Sequence, residues 1–400
     1  MPPLHRHQSS LEGLIDFSPA EGLSATQRAG AKRRFYRIIN HFLPASEIEN
    51  DDDDSSNNNG ARSLTYSKPR LISLTYKYAL SDGARDNFLR AFFQSIHLPV
   101  VRDGTADVDG DGDPDTFRSY VFDFADYLMD HFFLPLKAST KKTPQPSPAF
   151  DSAIERVQQG GLRAPFVGTP DRLSALRGAC LIRDHHRCVI SHKFDKAEAQ
   201  ARMRRHGATA ALDDDGNLIY QDPDLPAPLE VAHIIPHSLM TVDANSELSP
   251  SKQAALAILN MFDTGVVHLI EANNIDRPRN ALTLTTDNHI AFGDFEIFFE
   301  PIADSQPHTY RIDTFEPAEI LAGFPLTRTL YLSQHRTIDP PSPRLFAIHR
   351  AVAYILHFSA AGEYIDRLLR QMEGQGVCAA DGSTEIGRYL QLGLRGFVST

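Results

Sequence analysis

The sequence predicts an α+β protein, mostly helical toward both ends and built from short strands in the middle. Three observations carry this. Apolar residues recur at helical spacing in the first 140 residues and again beyond residue 340. Between them lie β-branched and aromatic runs too short for helices and bounded by turn residues. Acidic charge collects in a few loop-like runs instead of along the expected elements.

Taken in order, residues 1–22 are polar and turn-rich and are expected to be disordered. Residues 23–145 read as a helical region with acidic, low-complexity loops. Its first helix runs from Ser24 to Leu43, with Phe35, Ile38, Ile39 and Phe42 on one face and Pro44 as the stop. A charged linker follows over 48–63. A second helix is expected over Ala84–His97, and a third over about Thr116–Phe133. The Pro- and Lys-rich stretch after Lys137 marks a boundary near residue 145.

Residues 146–305 change character. A helix over Ala175–Asp184 leads into RCVIS. Leu229–Ile235, Val266–Glu271, Ala281–Leu284 and Phe295–Pro301 read as strands, and Gln253–Met261 as a helix. Thr285 or Thr286 is placed to cap a short helix carrying His289. Residues 306–400 hold a Pro-rich loop and then one long helix from about Pro343 to Met372.

Composition narrows the class. At about 100–200 residues per domain, 400 residues suggest two to three folded units. No run approaches the ~18–20 apolar residues of a membrane span, and the N-terminus lacks the apolar core of a secretory signal. Three cysteines, Cys180, Cys188 and Cys378, cannot make a fully paired disulfide framework, so an intracellular location, cytoplasmic or nuclear, is expected. Taken alone, the net charge of −11 argues against a nucleic-acid partner. Yet twelve of the 51 acidic residues sit at Asp51–Asp54, at alternate positions of Asp107–Asp115 and at Asp213–Asp215, and the other 39 balance 40 basic ones.

Two motifs suggest metals weakly. Asp107–Asp115 offers oxygen ligands as a calcium loop would, but Arg118 stands where the bidentate Glu belongs, so a solvated acidic loop is the simpler reading. His185, His186, Cys188 and His192 have zinc-binding types, but all in one short segment without a second ligand pair.

The third motif is specific. AHIIPHS places His233 at a strand end, Asn280 follows in RPRNALTL, and eight residues separate it from His289 in TTDNHIAFG. With RCVIS upstream and LEVAHIIP around the first His, this His–Asn–x8–His pattern resembles the HNH endonucleases of the ββα-metal superfamily. The resemblance covers roughly Cys180–Pro301, and the arrangement as a whole is similar to fungal proteins that carry such a domain. It implies a central ββα-metal domain and metal-dependent hydrolysis of phosphodiester bonds in nucleic acid, with DNA the expected partner. It further implies His233 as general base, Asn280 as positioning residue and His289 as metal ligand. Phosphodiester hydrolysis needs a base for water and a cation for the developing charge. A neutral His suits the first task, and Mg²⁺, which keeps its waters, suits a sparse ligand set better than Zn²⁺, with Mn²⁺ or Zn²⁺ as the alternatives.

The chain departs from the pattern at Ala232, where many members carry a ligand, and at Gly293, four residues after the last His. Asp287 and Asp294 are left as weak candidate ligands, and Glu230 falls out of the usual register. A fold kept for binding or scaffolding, without turnover, is the alternative. His237 could face the phosphate, whereas His268, on an expected apolar strand, reads as a core histidine. Basic runs at Lys32–Arg34 and Arg202–Arg205 could touch a phosphate backbone.

Overall fold

The computed structural model describes residues 21–43, 65–101, 112–140, 169–240, 248–333 and 337–373. The acidic linker and the boundary near 145 lie outside these, as do the expected disordered N-terminus and Asp107–Asp115 apart from residues 21–22 and 112–115. In chain order the helices are α1 (Ala25–Phe42), α2 (Lys68–Lys77), α3 (Asp82–Ser95), α4 (Arg118–Leu128), α5 (Leu134–Thr140), α6 (Thr169–Arg183) and α7 (Lys196–His206). Strand β1 (Leu229–His233) precedes α8 (Pro250–Leu259), and β2 (Ala281–Thr285) runs directly into α9 (Thr286–Gly293). Strands β3 (Ile297–Pro301), β4 (Thr309–Thr314) and β5 (Leu326–Thr329) precede α10 (Pro343–Phe358) and α11 (Ala361–Glu373). The α+β class predicted from the sequence is what the chain adopts. The backbone contacts divide it into two units, one within Met1–Ala138, Val242–Val267 and Tyr354–Thr400, the other within Ser139–Thr241 and His268–Ala353.

The first unit is helical and aromatic. Ser24 starts α1 with a capping box: its hydroxyl accepts from the Gln27 amide while the Gln27 side chain accepts from the Ser24 amide. The buried face of α1 then brings Phe35 against Phe88 and Phe92 of α3 with ring centroids 5.7 and 4.9 Å apart, and Phe88 meets Phe124 of α4 at 5.8 Å. Edge-to-face pairs of this kind contribute about 0.5–1.5 kcal/mol each beyond their burial. The helix expected over Thr116–Phe133 forms in three pieces: a 3₁₀ turn at Pro114–Phe117, α4, and a π turn over Met129–Phe133.

The second unit holds two small sheets. β1 pairs antiparallel with β2, in register from Leu229 opposite Thr285 to His233 opposite Ala281. β3, β4 and β5 form an antiparallel three-stranded sheet. A buried ion pair anchors β2. Arg183, at the end of α6, grips Asp184 at 2.7 and 2.8 Å and donates to the carbonyls of Pro278 and Ala281. Asp184 in turn accepts from the Thr283 amide, and the Val189 amide of the RCVIS segment donates to the Thr283 carbonyl.

Three expectations fail. Val266–Leu269 is a 3₁₀ turn, not part of a strand, and follows Gly265 at φ +78°. An apolar β-branched run makes a strand only where another strand pairs with it. His268 is correspondingly no core residue: its side chain is 78 % exposed, beside Glu271. The long C-terminal helix is two helices bent by 83°, with Ala360 in the left-handed region at φ +61° between them. No single helix among the described residues is long and apolar enough to cross a membrane.

Candidate active site

Strands β1 and β2 form a hairpin-like pair, and α9 packs on both, which gives a ββα unit. Asn280, at the entrance to β2, is fully buried. Its Oδ1 accepts from the Ile235 amide at 2.9 Å, and its Nδ2 donates to the carbonyls of Ile235 at 2.9 Å and Ile275 at 3.0 Å. The Ile234 amide also donates to the Asn280 carbonyl. One side chain therefore ties the turn after β1 to the turn before β2. Only an amide can donate and accept in this way at once.

His233 ends β1 and is buried, with 2 % of its side chain exposed. Its Nε2 lies 3.2 Å from Asp276 Oδ1, and His237 Nδ1 lies 2.7 Å from the same oxygen. Arg172 of α6 takes the other oxygen at 3.1 Å. His233 Nδ1 is buried and has no hydrogen-bond partner among the described residues. Burial pushes the His233 imidazole below its ordinary range against the pull of Asp276, and the nearby His237 and His289 add to the depression. Burial works against ionisation of Asp276 too, but the hydrogen bonds from His233 and His237 outweigh it and hold the carboxyl well below the usual range.

His289 projects from α9 toward β1, where its Nδ1 meets Glu230 Oε2 at 2.6 Å. The Thr286 hydroxyl donates to the other oxygen of Glu230 at 3.2 Å. Glu230, out of register with the usual pattern, is thus the carboxylate beside His289. Residues alternate across a strand, so Glu230 emerges on the same face as Ala232, toward α9. Asp287 is exposed in the first turn of α9, and Asp294 is its C-terminal cap. Neither belongs to the two groups of described residues in which three possible ligand atoms lie within 4.8 Å of one another: the mostly buried His233, His237 and Asp276, and the exposed His41, Asp113 and Asp115 at the end of the acidic loop.

Asp276 is the residue that sequence reasoning missed. It stands four positions before Asn280 in NIDRPRN, in a 3₁₀ turn over Ala272–Asp276, and a carboxylate so close to the positioning Asn was the available signal. In the short zinc-like run the imidazoles pair with carboxylates, and His186 is buried. His185 pairs with Asp215 at 2.8 Å, His186 with Asp214 at 2.7 Å, and Cys188 is a buried free thiol. Of the basic runs, Arg34 is buried and donates to the carbonyls of Pro99 and Val100, and Arg202 is paired with Glu198 and Asp214.

No curated protein and no solved structure gives a significant match to the chain. Residues 188–300, which take in His233, Asn280 and His289 together with β1, β2 and α9, match the family model described as HNH endonuclease.

Proposed function

We propose that the protein is a metal-dependent endonuclease that hydrolyses phosphodiester bonds in nucleic acid, with DNA as substrate and His233 as general base. The observation that carries this reading is the state of His233 within the ββα unit. It is a buried imidazole kept in its neutral form, with a carboxylate at Nε2 and an unpartnered Nδ1. With its proton on Nε2 and directed to Asp276, the ring keeps a lone pair on Nδ1. That nitrogen takes the proton of the attacking water, and Asp276 steadies the imidazolium that results. Asn280 holds the turn that aims the ring.

The family implies a divalent ion, and the donor chemistry fits one. Glu230 and His289 offer a carboxylate and an imidazole at one partly open position, which suits a cation that retains waters, such as Mg²⁺. When bound, such an ion stabilises charge on the phosphate and leaving oxygens. Asp287 and Asp294 are weaker candidates for the same ion, placed at the two ends of α9.

A second reading rests on the convergence of His233, His237 and Asp276. Two imidazoles and one carboxylate suit a transition ion such as Mn²⁺ or Zn²⁺. In that case His233 is a ligand instead of the base. The third reading, a scaffold without turnover, draws on Ala232 and Gly293.

Plasmid DNA incubated with purified protein in Mg²⁺, Mn²⁺, Zn²⁺ or EDTA separates them, together with calorimetric metal titrations of His289→Ala and His237→Ala. Metal-dependent nicking with metal affinity lost in His289→Ala supports the first reading. Affinity lost in His237→Ala and kept in His289→Ala favours the second. No metal-dependent cleavage under any condition leaves the scaffold.

A further inference from the structure

The family match begins at residue 188, yet the helix before it reaches into the candidate site. α6 lies against both strands of the ββα unit. Its Leu176 and Cys180 share a buried cluster with Val231 of β1 and Ala281 of β2. Arginines tie the rest of its length to the same strands. Arg183 holds Asp184 and the carbonyls of Pro278 and Ala281, and Arg177 donates to the Leu229 carbonyl at 2.8 Å. These bonds serve the backbone and a carboxylate outside the site. Arg172, near the start of α6, instead meets Asp276, with Nε donating to Oδ2 at 3.1 Å.

The two oxygens of the buried Asp276 are used differently. Oδ1 faces both imidazoles, His233 Nε2 at 3.2 Å and His237 Nδ1 at 2.7 Å. A carboxylate oxygen offers two lone pairs, so these two rings use Oδ1 in full. The terminal torsion of an Asp side chain is broad and its two oxygens are chemically alike. Nothing in His233 itself therefore decides how the carboxylate is turned toward it. With Oδ2 taken by Arg172, that rotation is fixed and Oδ1 is left to the histidines. The bond is charge-assisted, hence about twice as strong as a neutral one. A guanidinium also stays charged at every working pH, so its hold on Oδ2 does not come and go.

We propose that Arg172 is a positioning residue of this site, acting through Asp276 to keep His233 in the tautomer with its proton on Nε2 and its lone pair on Nδ1. The inference rests on the reading of His233 as general base, and it adds a residue that lies outside the family match. Which ring nitrogen of a histidine carries the proton is set by the hydrogen bond the other one lacks or makes. A carboxylate turned away from Nε2 no longer selects that nitrogen, and the lone pair is then divided between the two. α6 thereby belongs to the working unit together with β1, β2 and α9.

The test uses the full chain and two readouts. In EDTA, nitrogen NMR of ring-labelled histidine reports the tautomer of His233, whose signals are assigned by their loss in His233→Ala. Wild type should show the single Nε2–H form, and Arg172→Gln a mixture of the two tautomers. In metal-dependent plasmid cleavage, Arg172→Gln should lower kcat by about 10–100-fold, the range for groups that orient a functional side chain, with KM kept. Arg172→Gln combined with Asp276→Asn should lose no more than Asp276→Asn alone, because a residue acting through Asp276 then has nothing left to orient. Arg172→Lys, which keeps a charged donor, should recover the tautomer and most of kcat. Arg177→Gln removes an arginine of the same helix that bonds to backbone, and should keep the wild-type tautomer. Arg172 is partly exposed, and Arg172→Met serves in place of the Gln variant if that one does not fold. If wild type cuts no DNA with any metal, the nuclease reading fails, and the tautomer in EDTA still decides the role of Arg172. The proposal is overturned if Arg172→Gln keeps the single Nε2–H form, or if its loss of kcat adds in full to that of Asp276→Asn.

Discussion

At Asp276 two imidazoles converge on one carboxylate oxygen, whereas between residues 185 and 222 His185, His186, Arg187 and Arg202 share no carboxylate oxygen with one another. Both regions lie in the same unit and use the same residue types. In the second, His185 takes Asp215, His186 and Arg202 take separate oxygens of Asp214, and Arg187 bridges Asp213 and Asp222. Asp213 also accepts from the backbone amides of Asp215 and Asn217, which closes the turn between them. Burial opposes ionisation of Asp214, but His186 and then Arg202 bring it down to about 2. Pairwise satisfaction of this kind holds a loop and leaves no donor atoms pointing at a common centre. At Asp276 the ligand atoms share one centre. An unpartnered buried nitrogen does not distinguish the two regions, since His186 Nε2 is in the same state as His233 Nδ1. Residue type alone does not make a site. Convergence on a common centre does.

The largest effect that would break this contrast is at His233. His233→Ala should cut plasmid cleavage by about 10²–10⁴-fold, roughly 3–5.5 kcal/mol of transition-state stabilisation, with DNA affinity and thermal midpoint kept. Equal cleavage by wild type and variant at every metal concentration would remove His233 as the base.

Asn280 comes next. It is fully buried and makes three side-chain hydrogen bonds to backbone. Asn280→Ala leaves those groups unpaired and should cost about 2–4 kcal/mol in urea unfolding, with activity reduced as well. Asn280→Asp should be nearly as harmful, because it loses the donor. Native stability and full activity in both variants would show that the turn holds without it.

A third histidine sharpens the comparison by having no carboxylate at all. His349 is stacked 3.9 Å from Phe292 and its Nε2 donates to the Phe292 carbonyl at 3.0 Å. Burial brings its pKa down to about 3, against the pull of that hydrogen bond. An unfolded chain protonates the same ring near 6.5, so below that pH the unfolded state binds the extra proton. The contribution is full above about pH 6.5 and falls away toward about pH 3. Between about pH 6.5 and 4.5 the loss should reach about 2–3 kcal/mol. In His349→Phe this part of the pH dependence of stability should disappear. A slope identical to wild type would place the titration elsewhere.

The smallest effect belongs to the paired cluster. The side chains of His185 and Asp215 are 25 and 38 % exposed, and such pairs contribute about 0–1 kcal/mol. Asp215→Asn should therefore change stability by less than about 1 kcal/mol and leave metal affinity unchanged. Asp276→Asn, by contrast, should depress activity and, if the converging group holds the ion, metal affinity as well. Equal consequences in the two variants would dissolve the distinction.

Much of this architecture was readable from local pattern. Phe35, Ile38 and Ile39 mark the buried face of α1 because a helix repeats every 3.6 residues. LEVAH and ALTLT form strands, and His233, Asn280 and His289 fall at the strand end, the turn and the helix expected of them. These features depend on neighbours a few residues apart, and spacing encodes such neighbours directly.

Other features were decided only by tertiary structure. Asp276 is 43 residues from His233 and Glu230 is 59 from His289, so no local spacing could pair them. Each pairing depends on the register of β1 against β2 and on the turns that Asn280 holds. VVHL had strand composition, but a strand is completed by its partner, and the run became a 3₁₀ turn with His268 exposed. The amphipathic run from Pro343 onward is continuous in pattern, yet it bends by 83° at a left-handed Ala360. The hydroxyl of Ser359 there bonds back to the Ile355 carbonyl, and its own carbonyl accepts from the Ser67 amide. Periodicity reports which face of a segment is apolar. Where a segment stops, what pairs with it and which distant carboxylate a histidine meets are fixed by contacts between residues far apart in the chain, which form only once the fold is made.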